Sequence, residues 1–564
     1  MKKKQCDRFT EKTRNRPFLN YSLCLKSRKI KIKALYISLL CVISLCLPSC
    51  QPAKEKSKEQ GSHQKISLSI HTDVTALDPR LSFLAPTLHI LRMLFEGLTR
   101  LGPDGQPILA LAEWYEVASD KKVYTFHLRK SVWSNGEPVT AHDFIYSWRG
   151  TLSPCNPSRT KAAFYPIKNV EAFNQGRCSI DEIGLRALDE STLQIELEYP
   201  YESLFQLLAY PAFSPLPQKM DEVDRHWTKQ TGAHYVCNGP FYLQSRIDGH
   251  GLQLLKNPHY WDAAHIRLDE VSISIIPDIA TQDALFQKGE IDFIGLPLAD
   301  LPADTITRLE QDRQLKQIPS TDIFWCALNT RHPLLAHPKM RQALAIAVDR
   351  KEIVNHVLPQ GFCEGQSILP RSLSQLCEPT FGDCDIARAQ KLYHEALKET
   401  DSSPQTLTLL YSPKDLTEKV IQVLCNQWKK NLGLNIHLEA VELKTRLSRM
   451  KSGAFEIGAY TWFSWIHDPL YTLHNYRSNA TLYNYTGWSH PSFTQFLDQF
   501  QTANDTKKRS DLIEHAEQLM MKELPLIPIY NGALTYAHNQ SLQGVIVTPY
   551  YEFDLRWAYM SKIE

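Results

Sequence analysis

A chain of 564 residues is too long for one hydrophobic core and calls for two or three units. Hydrophobic residues at 43% and charged residues at 22% are the proportions of an ordinary globular protein. The net charge of +2 averages unlike parts: residues 1–49 hold 12 Lys and Arg against 2 Asp and Glu, and the other 51 basic and 59 acidic residues give −8. No strongly basic domain remains, so nucleic acid is not an expected partner.

The chain opens on a targeting segment. Residues 2–33 are rich in Lys and Arg, and Ala34 to Leu47 is a run of 14 mostly apolar residues. As a helix that run spans about 21 Å, short of a hydrocarbon core of about 30 Å. It therefore reads as the core of a signal peptide rather than a permanent membrane span. Leu47-Pro48-Ser49-Cys50 resembles a lipoprotein signal, in which cleavage leaves Cys50 first and lipid-modified. The expected signal peptide is 1–49. Residues 50–65 are polar and charged and read as a disordered tether.

Ile66 to Ile70 alternates as a first strand, and an apolar helix with Ile90, Leu91, Met93 and Leu94 follows. Tyr124 to Leu128 is aromatic and β-branched, a strand. Ser134-Asn135-Gly136 then makes a tight turn. Thr140, with Asp143 three residues on, has the spacing of a capping box and predicts a helix through Phe144, Ile145 and Trp148. Leu193 to Leu197 alternates as a strand. Pro338 starts a helix with Met340, Ala343, Leu344 and Ala347 on one stripe. Further helices are expected at 385–398 and 415–431, the latter closed by Gly433. Phe455 to Pro469, FEIGAYTWFSWIHDP, reads as a strand running into a loop.

Several phrases are more specific than their secondary structure. Trp114, Asp120, YTFHLR (124–129), Trp133 with Asn135-Gly136, Pro138, Thr140-Ala141 and Asp143-Phe144 stand in one order. LFEGLTRLGPDGQP precedes them at 94–107. Leu207 to Pro211, Ser214 to Pro217, Cys237 to Tyr242, Lys256 to Asp262 and Gly289 to Asp292 follow. Together these resemble the bacterial extracytoplasmic peptide-binding proteins, the dipeptide/oligopeptide class of family 5 solute-binding lipoproteins that serve ABC importers. The resemblance covers about residues 66–560. It implies an α/β, two-lobed periplasmic-binding-protein fold of type II, in the large cluster with an extra subdomain, and a ligand cleft between the lobes. Lobe I is expected from 66–110, 235–318 and 528–564, its added subdomain from 111–234, and lobe II from 319–527. Pro525 and Pro528 lie near the second crossover.

Eight cysteines follow Cys50. An extracytoplasmic address permits disulfides, and Cys155–Cys178 and a pair among Cys363, Cys377 and Cys384 are the candidates. The spacings are not those of a zinc site. Walker A, GxSxG and HExxH motifs are missing from the sequence; His394-Glu395-Ala396-Leu397-Lys398 has Lys where a second His is required. Neither catalysis nor a cofactor nor a bound metal is expected.

In the resembled family, the segment matching Phe455 to Pro469 pairs its backbone with an extended peptide, like an added strand. Backbone pairing ignores side-chain identity, which lets one protein accept many peptides. The candidate ligand-binding residues are Tyr460, Thr461, Trp462, Phe463, Ser464, Trp465 and Asp468, with Asn329. Two departures matter. Members that bind free peptides place an Asp three residues after the matching Trp, to pair with the ligand α-ammonium; here that position is Trp465. Some members also carry Arg where this chain has Ala459. A missing partner for a buried charge costs about 2–5 kcal/mol. The ligand's free amino group is therefore expected to count for less than tenfold in affinity, unless Glu456 or Asp468 receives it.

The function expected is that of a lipid-anchored, monomeric substrate-binding subunit that delivers oligopeptides to the permease of an ABC importer, held on a bacterial membrane outside the cytoplasm, at its periplasmic face or at the cell surface. The alternatives are the same fold holding a cell-wall peptide, a glutathione-like thiol or a metal chelate, and a surface lipoprotein acting as adhesin or chaperone.

Overall fold

In the computed structural model, Lys316–Leu328 and Leu526–His538 are both 13-residue strands, and they pair antiparallel with each other. Both crossovers expected from sequence, at 318/319 and 527/528, fall within these strands, which lie side by side in one sheet. The structure describes residues 63–562 except 75, 82–84, 157, 159, 377–381, 383, 404–405, 480, 482 and 504.

Near its end Leu526–His538 also pairs with Phe293–Gly295, and over its first half it lies beside Cys363–Glu364. Lys316–Leu328 continues outward to Ile457–Phe463, then Leu407–Tyr411, then Ile436–Ala440. Near the expected crossovers the register of the two strands breaks: Pro319 lies opposite Ala533, but the next pair is Ile323 with Asn531. Gly532 sits in that gap. A Cβ there would stand 2.8 Å from the Asp322 Cβ, closer than real Cβ atoms approach, so only glycine lets the strands cross this tightly.

A second sheet orders Lys65–Ile70, Glu270–Ile275, Gly251–Lys256 and Phe241–Ile247. The expected first strand pairs parallel with Glu270–Ile275 and the others are antiparallel. The helix Ala85–Leu94 is fastened to this sheet through Gly239. Its N–H donates to the Leu94 carbonyl at 2.8 Å, and a Cβ would meet Leu94 at 2.5 Å. The Asn-Pro-x-Tyr-Trp phrase closes around one buried acid: the Tyr260 hydroxyl and Trp261 indole N–H donate to Glu96 at 2.9 and 2.5 Å, while Arg100 pairs with Asp262 at 2.7 Å.

The third sheet orders Ala112–Val117, Val123–Leu128, Thr192–Glu196 and Leu185–Ala187. The turn at Asn135-Gly136 forms as expected, with Gly136 at φ +86°. The helix Ala141–Leu152 starts at Thr140, whose N–H donates to the Asp143 carboxylate at 2.8 Å. Its Phe144 and Trp148 are fully buried. Further along the chain the helices Pro338–Ile346, Ile386–Glu399 and Asp415–Leu432 also stand where expected, the last ended by Gly433 at φ +68°. Cys155 and Cys178 do not form the disulfide considered for them. Both are free thiols, held in separate turns, and Cys178 Sγ donates to the Asn169 carbonyl at 3.5 Å. Cys363 is a free thiol as well. Cys50 and Cys377 lie outside the described residues.

Candidate functional site

Ile457–Phe463 is an edge strand for most of its length. One side pairs in full with the first crossover strand, from Leu328 opposite Ile457 to Asp322 opposite Phe463. On the other side the parallel strand Leu407–Tyr411 reaches only Ile457 and Gly458. Beyond them the Ala459 carbonyl accepts from Arg446 Nη1 at 3.0 Å, which turns it away from the crossover strand. Backbone groups alternate in direction along a strand, so those of Thr461 and Phe463 share that outward side. Among the described residues no strand pairs with them there. The result is a short open edge carrying unpaired donors and acceptors, a template for an extended chain.

The side chains along this edge divide by face. Thr461 is exposed, and its hydroxyl hydrogen-bonds Tyr530. Phe463 and Trp465, both half-buried, meet edge to face at 4.5 Å. Trp465 continues to Tyr210 at 6.2 Å, and Phe463 to Tyr551 at 5.8 Å. On the opposite face the Trp462 ring lies parallel to Trp325 at 5.9 Å, and its indole N–H donates to Thr472 Oγ1 at 3.0 Å. Tyr460 is buried edge-on to Trp325 at 5.8 Å, and burial pushes its hydroxyl well above the ordinary tyrosine range.

The remaining expected residues hold the scaffold. Ser464 is buried, with its hydroxyl 3.0 Å from Thr472 Oγ1 and its carbonyl accepting from Thr321 at 2.8 Å. Asp468 caps the helix Pro469–Leu473 by accepting from the Leu470 N–H at 2.9 Å, and it also bonds Tyr201. Burial raises its carboxyl above the ordinary range. Asn329 stands one residue beyond the far end of the pair, where Leu328 faces Ile457, and donates to the Gly453 and Phe455 carbonyls at 3.0 and 2.7 Å. Glu456 accepts from the Thr408 N–H at 2.5 Å and lies 3.5 Å from His332.

One acid at the site is absent from the expected set. Asp322 faces Phe463 in register, is half-buried, and accepts a hydrogen bond from the Tyr551 hydroxyl. Desolvation, reinforced by Asp300, raises its carboxyl to about 7. Around the same point the two halves of the molecule touch. Ser203 Oγ donates to the His467 carbonyl at 2.7 Å, the His467 N–H donates to Gln206 at 3.1 Å, and Lys414 pairs with Asp300 at 3.4 Å.

Comparison with known proteins agrees with this geometry. The family described as bacterial extracellular solute-binding proteins, family 5 (middle region), matches residues 106–484. The oligopeptide-binding protein OppA of Bacillus subtilis (strain 168) is 32% identical over 536 residues, covering 93% of this chain and 98% of its own. The periplasmic oligopeptide-binding protein OppA of Salmonella typhimurium is 31% identical over 472 residues, 81% of this chain and 85% of its own. Among solved structures, the substrate-binding domain of an oligopeptide ABC transporter from Bacillus anthracis superposes with a TM-score of 0.74 at 27% identity, covering 89% of this chain and 99% of that one. The two long paired strands and the match to these solved structures define the fold of a bacterial solute-binding protein. The chain belongs to family 5 of the bacterial extracellular solute-binding proteins, which are transport proteins and not enzymes.

Proposed function

We propose that this chain is the lipid-anchored substrate-binding subunit of an ABC importer, that it binds oligopeptides in the interlobe cleft as a monomer, and that it delivers them to the permease. The observation that carries the reading is the open edge at Thr461 and Phe463, beside a strand otherwise fully paired. A peptide added there gains main-chain hydrogen bonds whatever its sequence. The names of the relatives, oligopeptide-binding proteins in both Bacillus and Salmonella, support the same ligand class. In this reading Thr461, Trp462, Phe463 and Trp465 line the ligand, while Tyr460, Ser464, Asp468 and Asn329 hold the lining in place.

The lobes part at the register break, 319–323 on one strand and 531–533 on the other. The second falls a few residues beyond the 527/528 boundary expected from sequence. Lipid on Cys50 holds the protein on the outer face of the membrane, with 51–65 as its tether. Native mass spectrometry of the chain lacking residues 1–50, mixed with a pool of tri- to pentapeptides, tests the ligand class. Adducts of one peptide per chain are expected. A spectrum of bare protein at millimolar peptide contradicts the proposal.

A further inference from the structure

We propose that Asp322, on the first crossover strand, receives the α-ammonium group of the bound peptide. The inference rests on the peptide-binding reading and adds the residue that fixes which way round the peptide lies.

Residues directly opposite on paired strands share a face, so Asp322 and Phe463 look the same way. Phe463 lies at the end of the open edge, with Trp465 edge-on to it at 4.5 Å and Tyr551 tilted against it at 5.8 Å. The Asp322 carboxylate thus lies beside the rings of Phe463 and Tyr551 at the point where an added strand would end. A carboxylate has room for about four hydrogen bonds; the Tyr551 and Ser320 hydroxyls supply two. Among the described residues no Lys, Arg or His forms an ion pair with it, and Lys414 is held by Asp300 at 3.4 Å. An ammonium group placed there gains a charge-assisted hydrogen bond and π-faces at once. The raised proton affinity of Asp322 fits a carboxylate in want of a cation.

The competing acids are engaged. Asp468 caps a helix and binds Tyr201, and Glu456 binds the Thr408 N–H near His332. Asp322 therefore replaces the acid missing at Trp465 from the neighbouring strand, which reverses the expectation that a free amino group matters little.

The test is equilibrium dialysis of the chain lacking residues 1–50 against a pool of tri- to pentapeptides free of Lys, Arg and His, and against the same pool N-acetylated. The wild type is expected to retain the free pool at least a hundredfold more tightly. Asp322→Asn is expected to hold both pools within tenfold of each other, and retention of the acetylated pool shows a cleft that still binds. Tyr551→Phe, which removes the donor that orients the carboxylate, is expected to lose about tenfold of the preference, and it serves if Asp322→Asn does not fold. Equal retention of the two pools by the wild type, or an undiminished preference in Asp322→Asn, overturns the role of Asp322 and leaves peptide binding standing. Retention of neither pool overturns peptide binding itself and this inference with it.

Discussion

Asp322 stands directly opposite Phe463 across the antiparallel pair, and its carboxylate accepts a hydrogen bond from Tyr551, 229 residues further along the chain. One side chain thereby joins three parts: the crossover strand, the cleft strand and the C-terminal segment. Asp322 lies inside the register break of the two long strands, and Gly532 is the residue packed against it. Under the proposed function, hinge and binding edge share a boundary, and ligand at the edge is expected to act on the closing of the lobes.

The raised carboxyl of Asp322 has a consequence for stability. Its folded value of about 7 exceeds the ordinary 3.8, so between those values the folded chain holds a proton that the unfolded chain releases. Stability from this group is therefore greatest at the acidic side of that window and declines as pH rises through it. Tyr551, Tyr530, Asp300, Ser320 and Lys414 face the same carboxyl and stay in place in Asp322→Asn. Melting temperatures of the two proteins from pH 4.5 to 7.5 are expected to diverge, the variant gaining on the wild type as pH rises. Parallel curves would show that Asp322 titrates normally.

Asp468 is expected to matter for stability and not for recognition. Removing an Asp N-cap costs about 1 kcal/mol, and Asp468→Ala also loses the bond to Tyr201. Denaturant midpoints should fall accordingly, while the ratio of affinities for free and acetylated peptides stays at the wild-type value. A changed ratio would make Asp468 the ammonium partner.

Lipid attachment is expected at Cys50. Cys50→Ala should abolish incorporation of labelled fatty acid in the producing cell, because the modified residue is the thiol left first after cleavage. One chain alone binds membranes marginally, so two or more are needed for stable anchoring. Labelling of the variant at the wild-type level would place the anchor elsewhere.

The lobes are expected to open and close. The Lys414–Asp300 pair across the junction is exposed, and pairs of that kind contribute about 0–1 kcal/mol. Such a contact adds little to a closed form, and ligand is expected to favour closure by differential affinity. Small-angle scattering should show a smaller radius of gyration at saturating peptide. An unchanged radius with peptide bound would argue for a rigid cleft.

What was legible in the sequence is what local spacing controls. Thr140 with Asp143, Pro338, and Gly433 each mark a helix end through contacts within a few residues, and each end lies where expected. The cleft strand was legible through its alternation and its family phrase. Asp322 was not, because nothing in the run STDIFWCAL says which partner meets the acid; its surroundings come from Phe463, Gly532 and Tyr551, all more than a hundred residues away. A lone acid inside an apolar strand was the available signal. The register break on the second long strand was not legible for a similar reason. Prolines 525 and 528 mark the approach, but the register break at Asn531–Ala533 depends on the partner strand.

The central claim is that a peptide adds itself as a strand to the open edge at Thr461 and Phe463. Amide hydrogen exchange read residue by residue, with and without a saturating tri- to pentapeptide pool, addresses it most directly. The Thr461 and Phe463 amides should be slowed at least tenfold by peptide, while those of Tyr460 and Trp462, already paired with the crossover strand, change far less. Equal rates at Thr461 and Phe463 with and without bound peptide would contradict it.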